Sequence, residues 1–156
     1  MSLISDTSDI ALHSTEFLSH KTNNGFTYST AEVAVKALRN AGLGNVVYLP
    51  GEDHFESRVA SYWSRTSQLR PWAIVQPRDT HEVSTALRAL VGTPGCQFAI
   101  RSGGHMASPG ASSIEAGVTI DLGLLNTTAY DAQNNVASLG PSARWGDVYA
   151  ELEKRK

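Results

Sequence analysis

The stretch from Phe98 to Asn126, FAIRSGGHMASPGASSIEAGVTIDLGLLN, decides how the chain is read. Phe98 to Arg101 has the texture of a buried strand, and the chain then becomes a run of glycine, serine and one histidine before strand-like residues return. Gly103 and Gly104 remove two side chains in succession, which permits positive φ and lets the backbone come close to something flat or phosphorylated. Consecutive amides in such a turn form a nest for an anion. Ser102 and the small residues from Ser108 through Gly110 to Ser113 add hydroxyl donors and room, as a second wall around the same ligand would. Two readings stay open at this level: Gly-Gly after a strand is also an ordinary turn, and Arg101 either pairs with phosphate or merely ends its strand. The pattern is neither GxGxxG opening a helix nor GxxxxGK[ST], so a Rossmann site and a P-loop are both unsupported.

Upstream, Thr30 to Ala41 puts Ala31, Val35 and Leu38 on one side of a short amphipathic helix, with Gly42 and Gly44 as stops. NVVYLPG from Asn45 and PWAIVQP from Pro71 read as short buried strands closed by proline and glycine. Asp79 or Thr80 caps a helix carrying Val83, Leu87 and Leu90, which ends at Gly92. Strand, helix and strand in this order predict parallel pairing. Downstream, GVTIDLGLLN alternates, and Asn134-Asn135 turns into another strand, so this half predicts antiparallel pairing and a second lobe beyond about residue 100. A last helix begins near Ser142 and lines up Trp145, Val148, Tyr149 and Leu152. Tyr62, Trp63, Trp145 and Tyr149 are expected in the core, and Asp121 is expected to be structural, since a buried carboxylate needs partners.

Composition sets the outer bounds. The 156 residues, 41% hydrophobic and 18% charged, suit one globular domain with a core of its own. A formal net charge of -2 gives no attraction toward a polyanion, so nucleic acid and anionic membrane are not expected as partners. No run approaches the ~18 apolar residues of a membrane span. The N-terminal residues, interrupted by Asp6, Asp9 and Glu16, do not form a secretory leader, which makes a cytoplasmic location the expectation. Cys96 is the only cysteine, so an internal disulfide is impossible and a packed, reduced thiol is expected. His13, His20, His54 and His81 lack a partner at ligand spacing, and no metal site is expected. The sequon at Asn126 carries little weight.

Five stretches in order, VVYLPGEDHFESRVASYWS, LRPWAIVQPRDTHEVSTALRAL, QFAIRSGGH, GVTIDLGLLN and ARWGDVYAELE, resemble fungal FAD-linked oxidoreductases of the vanillyl-alcohol oxidase and berberine-bridge-enzyme type. The resemblance implies an α+β, two-lobed PCMH-type FAD-binding domain, present here in part. Residues 1–40 would form a tail and first helix, and 41–156 the N-terminal portion of the flavin domain. Relatives of this type continue into a second flavin loop and a substrate domain, so the resemblance makes this a C-terminally truncated member. It also implies FAD cradled by Arg101, Ser102, Gly103, Gly104, His105, Ser108 and Gly110, with His105 at the position that in many members bonds the 8α-methyl of the flavin. A neutral imidazole nitrogen can add to the methide tautomer of an oxidised flavin, and an isolated loop histidine would otherwise just bond to backbone. The catalytic residues stay unassigned. The implied function is oxidation of a small organic substrate, probed against two alternatives: an inactive remnant, or a non-catalytic binding or scaffold protein. Apolar faces near Val118 to Leu125 and on the Trp145 helix predict self-association or completion by a complementary chain.

Overall fold

Period-two alternation along short strands sends neighbouring side chains to opposite faces of a sheet, and here it separates an apolar core from a charged one. The computed structural model describes residues 19–21 and 27–155. Residues 1–18 and 22–26 of the expected N-terminal tail, His13 among them, lie outside the described residues. The central sheet has four strands in the order β3, β4, β6, β5: Val47–Tyr48 (β3), Ala73–Val75 (β4), Phe98–Arg101 (β5) and Val118–Asp121 (β6). Two short strands, Ser19–Lys21 (β1) and Thr27–Ser29 (β2), pair antiparallel before it.

Among the described residues four α-helices accompany the sheet: Thr30–Leu38 (α1), Asp53–Ala60 (α2), Thr80–Val91 (α3) and Trp145–Glu153 (α4). Ser29 and Glu32 form a reciprocal capping box at the start of α1, and Asp79 caps α3 through the Glu82 amide at 2.8 Å. Helix α1 stops short of Ala41, because the chain widens over Arg39–Leu43 and turns at Gly42 with φ 86°. Ala34 and Leu38 of α1, Ala86 and Leu90 of α3, Ala73 and Val75 of β4, and Val118 and Ile120 of β6 form one buried cluster. The intervening Ile74 faces the other way and packs on Phe55 and Val59 of α2. The same alternation turns Asp121 toward α2, where Arg58 meets it.

The expected parallel pairing of β4 and β5 is present at one remove. Both run parallel to β6, which inserts between them. This corrects the antiparallel expectation for GVTIDLGLLN, and the reason is that β6 is buried at all four positions, as a central parallel strand covered on both faces is. Its faces are therefore not uncovered. Strand β5 instead lies at the edge, with Ile100 45% exposed. The antiparallel expectation holds for Thr128–Asp131 (β7) and Val136–Leu139 (β8), joined through Asn134-Asn135 with Asn135 at φ 53°.

Tyr62 is buried, but Trp63, Trp145 and Tyr149 are 65%, 65% and 60% exposed, which overturns their expected core positions. On α4 only Val148 is buried, and the helix packs against β7. Cys96 packs half-buried against the main cluster, and burial pushes its thiol pKa up. Among the described residues no helix is long and apolar enough to cross a membrane, and no acidic, histidine and cysteine group could hold a metal ion.

One surface pair fastens α2 to the approach to β4. Arg70 donates to both Glu56 oxygens at 2.8 and 2.6 Å, and the Gly51 amide adds a third bond at 2.9 Å. The Arg70 bonds, then the Gly51 amide, draw the Glu56 carboxyl from its usual 4.5 to about 2. A depressed carboxyl stabilises the fold above its unfolded value, and that contribution is lost as pH falls from about 4.5 through about 2. Both side chains are well exposed, so water holds the pair to under about 1 kcal/mol. Carboxyl-detected NMR titration is expected to find Glu56 ionised at pH 3.5. Arg70→Ala should return it to the ordinary range, and an unchanged titration in that variant would remove Arg70 as the cause.

Candidate functional site

Parallel strands aim the residues at their carboxyl ends into the loops that follow, where α/β sheets commonly meet ligands. Arg101 and Asp121 end β5 and β6 and are register partners, so their side chains stand side by side on the α2 face. Asp121 is fully buried. Arg58 binds it in a fork, Nε to Oδ2 at 2.9 Å and Nη2 to Oδ1 and Oδ2 at 3.0 and 2.7 Å, while the Gly123 amide donates to Oδ1 at 2.8 Å. Arg101 Nη1 lies 3.6 Å from Oδ2 and donates to the Arg58 carbonyl at 2.7 Å. Arg101 Nη2 donates to Ser61 Oγ at 3.0 Å, and the guanidinium sits 3.7 Å over the Tyr62 ring. Burial pulls the Arg101 pKa below the usual arginine value and lifts that of Tyr62, whose hydroxyl donates to the Ser112 carbonyl. Asp121 is thus structural as expected, and Arg101 makes a hydrogen bond inside the protein from each Nη.

A cleft of about 190 Å³ opens beside this network. Three arginines, Arg58, Arg101 and Arg144, and one aspartate, Asp147, line it, while Asp121 is not among the lining residues and is engaged by Arg58. Ser61, Ser102, Gly103, Gly123, Asn126 and Ser142 complete the lining. Ser102 Oγ donates to the Pro141 carbonyl, and Arg144 Nη2 donates to the Gly103 carbonyl at 3.0 Å, so the 140–144 turn is tied to the glycine loop. Among the described residues four buried side-chain atoms have no hydrogen-bond partner, Arg101 Nε, Ser112 Oγ, Ser113 Oγ and Ser142 Oγ, and of these Arg101 and Ser142 belong to residues lining the cleft. Two orphaned donors beside a cationic cleft are what an absent oxyanion would satisfy.

Gly104 is buried at φ 63°, and a Cβ there would stand 2.9 Å from Arg101 Nε. The glycine is thus needed for both its backbone and the room it leaves against the guanidinium. His105 is exposed at the outer edge of the loop, its carbonyl accepting from Trp63 Nε1 at 3.0 Å. Ser108 and Gly110 sit in an exposed turn, Gly110 at φ 82°, and are not among the residues lining the cleft. The structure therefore brings Arg101, Ser102 and Gly103 to the cleft, with Gly104 behind them, and carries Ser108 and Gly110 farther along the loop.

Sequence reasoning missed Arg58, Ser142 and Arg144. A partner for buried Asp121 was demanded, but nothing in the spacing named Arg58, 63 positions away. Ser142 and Arg144 follow Gly140-Pro141, a turn signal that announces a loop without saying which loop it meets.

A family model described as FAD binding domain matches residues 71–156. An FAD-dependent monooxygenase of Emericella nidulans is 45% identical over 125 residues, which is 80% of this chain and 26% of that protein. The crystal structure of 6-hydroxy-D-nicotine oxidase from Arthrobacter nicotinovorans superposes with a TM-score of 0.62 at 27% identity, covering 69% of this chain and 23% of its own. A variant of berberine bridge enzyme gives 0.66 at 21% identity, covering 79% and 26%, and shows the shared fold. The chain spans about a quarter of the length of the curated relative it matches.

Proposed function

The chain belongs to the FAD-binding domain family of PCMH type, in the group of vanillyl-alcohol oxidase and berberine-bridge-enzyme flavoproteins, and from that premise we propose that its cleft holds the diphosphate of FAD as part of an oxidoreductase acting on a small organic substrate of secondary metabolism. The observation that carries this reading is the pair of buried, unpartnered donors, Arg101 Nε and Ser142 Oγ, at a cleft walled by arginines. The donor set fits a diphosphate: Arg144 and Arg58 supply positive charge, Ser142 supplies a hydroxyl with no other partner, and the bare Gly103-Gly104 backbone permits close approach. FAD, when bound, supplies the two-electron acceptor for substrate oxidation. His105, exposed just beyond the glycines, is the residue we assign to contact with the flavin ring and to its covalent attachment.

Two substitutions separate cradle from tether. Gly104→Val forces a β-branched residue into φ 63° and against Arg101, and FAD affinity measured by fluorescence titration should fall on the order of 100-fold. His105→Ala should keep affinity within a few-fold while flavin fluorescence that survives denaturation disappears. Arg144→Ala, at an exposed position, should weaken binding about tenfold through loss of one charge-assisted contact and of its tie to the Gly103 carbonyl. Wild-type affinity in both Gly104→Val and Arg144→Ala would overturn the cleft as the diphosphate site.

A further inference from the structure

We infer that Trp63 is a positioning residue for His105, fixing where its imidazole stands; the inference rests on the reading that His105 meets the flavin. Tryptophan is expected to bury its ring, yet Trp63 is 65% exposed, and its indole N–H is spent on the His105 carbonyl at 3.0 Å. The two rings lie 6.1 Å apart between centroids at a tilt of 35°. Among the described residues no hydrogen bond holds the His105 imidazole, so the indole is the group that orients it.

The neighbouring side chains extend the same clamp. Thr66 Oγ1 and Ser67 Oγ both donate to the Ala107 carbonyl, at 3.3 and 3.2 Å. Residues 63, 66 and 67 thus hold the backbone on either side of Met106, which is itself exposed. The clamp is in turn anchored. Tyr62 is buried under Arg101, Ser67 is 1% exposed, and the Gln68 amide donates to the Ala60 and Tyr62 carbonyls at 3.3 and 3.2 Å. The network that fixes Arg101 at the inner end of the glycine loop therefore also fixes, through the 62–68 segment, the outer end that carries His105.

The test uses the full chain with Trp63→Leu, which removes ring and N–H, and Trp63→Phe, which restores a ring without the donor. Backbone order parameters of residues 105–107 are expected near 0.85 in the wild type and below about 0.6 in Trp63→Leu. The His105 ring-proton resonances should lose their ring-current displacement in Trp63→Leu and regain much of it in Trp63→Phe. The resonances of β4 and β6 should stay in place in both. FAD added to the same samples should bind Trp63→Leu about tenfold more weakly than wild type. Unchanged order parameters and imidazole resonances in Trp63→Leu would overturn the inference whatever the flavin does. A loosened loop in Trp63→Leu together with no FAD binding by the wild type would instead overturn the flavin reading and leave the placement of His105 by Trp63 supported.

Discussion

Asp121→Asn is expected to cost about 3–5 kcal/mol of folding stability, the usual penalty for removing one partner of a buried ion pair. The substitution keeps shape and volume, so the loss is electrostatic. In the native chain Asp121 is fully buried and compensates both Arg58 and Arg101, while also accepting the Gly123 amide. An asparagine leaves two cations facing each other, one of them only 4% exposed. Against a typical stability of about 5–15 kcal/mol, that loss threatens the fold itself. Arg58→Ala should cost less, because Arg101 remains as counter-ion and Asp121 keeps the Gly123 amide. Urea unfolding followed by circular dichroism measures both. A midpoint for Asp121→Asn within error of wild type, or a larger loss for Arg58→Ala, would show that the carboxylate is not the hub.

The second large effect is expected at Gly140. An added Cβ would stand 2.3 Å from the Leu125 carbonyl oxygen and 3.0 Å from the Thr127 amide nitrogen, both backbone atoms that cannot swing aside. The close approach is held by two bonds, Gly140 N–H to the Thr127 carbonyl at 2.8 Å and Ser142 N–H to the Leu125 carbonyl at 3.0 Å. Gly140→Ala must break one of them or part the segments, at a cost of about 3 kcal/mol or more. For a domain of this size that lowers Tm by roughly 6–12 °C. Because the same turn carries Ser142 and Arg144 to the cleft, FAD binding should weaken with it. Gly146→Ala is the internal control: it lies in α4, a Cβ there meets nothing within 4 Å, and helix propensity favours the alanine by up to about 1 kcal/mol. Equal melting of the two variants would refute the steric argument.

Local signals were legible wherever neighbours in the chain carry the physics. The proline-bracketed AIV of β4, the Asp79 cap and Gly92 stop of α3, and the Asn134-Asn135 turn between β7 and β8 all appear in the structure where the sequence put them. Five ordered motifs likewise identified the family, and RSGGH identified the loop that borders the cleft. Exposure was less legible. Trp63 and Trp145 have the side chains of core residues, but burial depends on what another segment brings against them, and nothing in their own neighbourhood encodes that.

What the sequence by itself determined, then, is most of the short elements, though not β1, β2 or the α2 helix that carries Arg58, together with the family and its cofactor and the glycine loop with its histidine. Each follows from turn chemistry, periodicity or a contiguous motif. What only the tertiary structure decided is the insertion of β6 between β4 and β5, the choice of Arg58 as the partner of Asp121, and the meeting of the 140–144 turn with Gly103. Those are contacts between segments tens of residues apart. Strand order sets them by bringing the carboxyl ends of β5 and β6 together under α2, and many pairings would satisfy the same local pattern. A buried carboxylate announces that it needs a cation; only the packed sheet says which one.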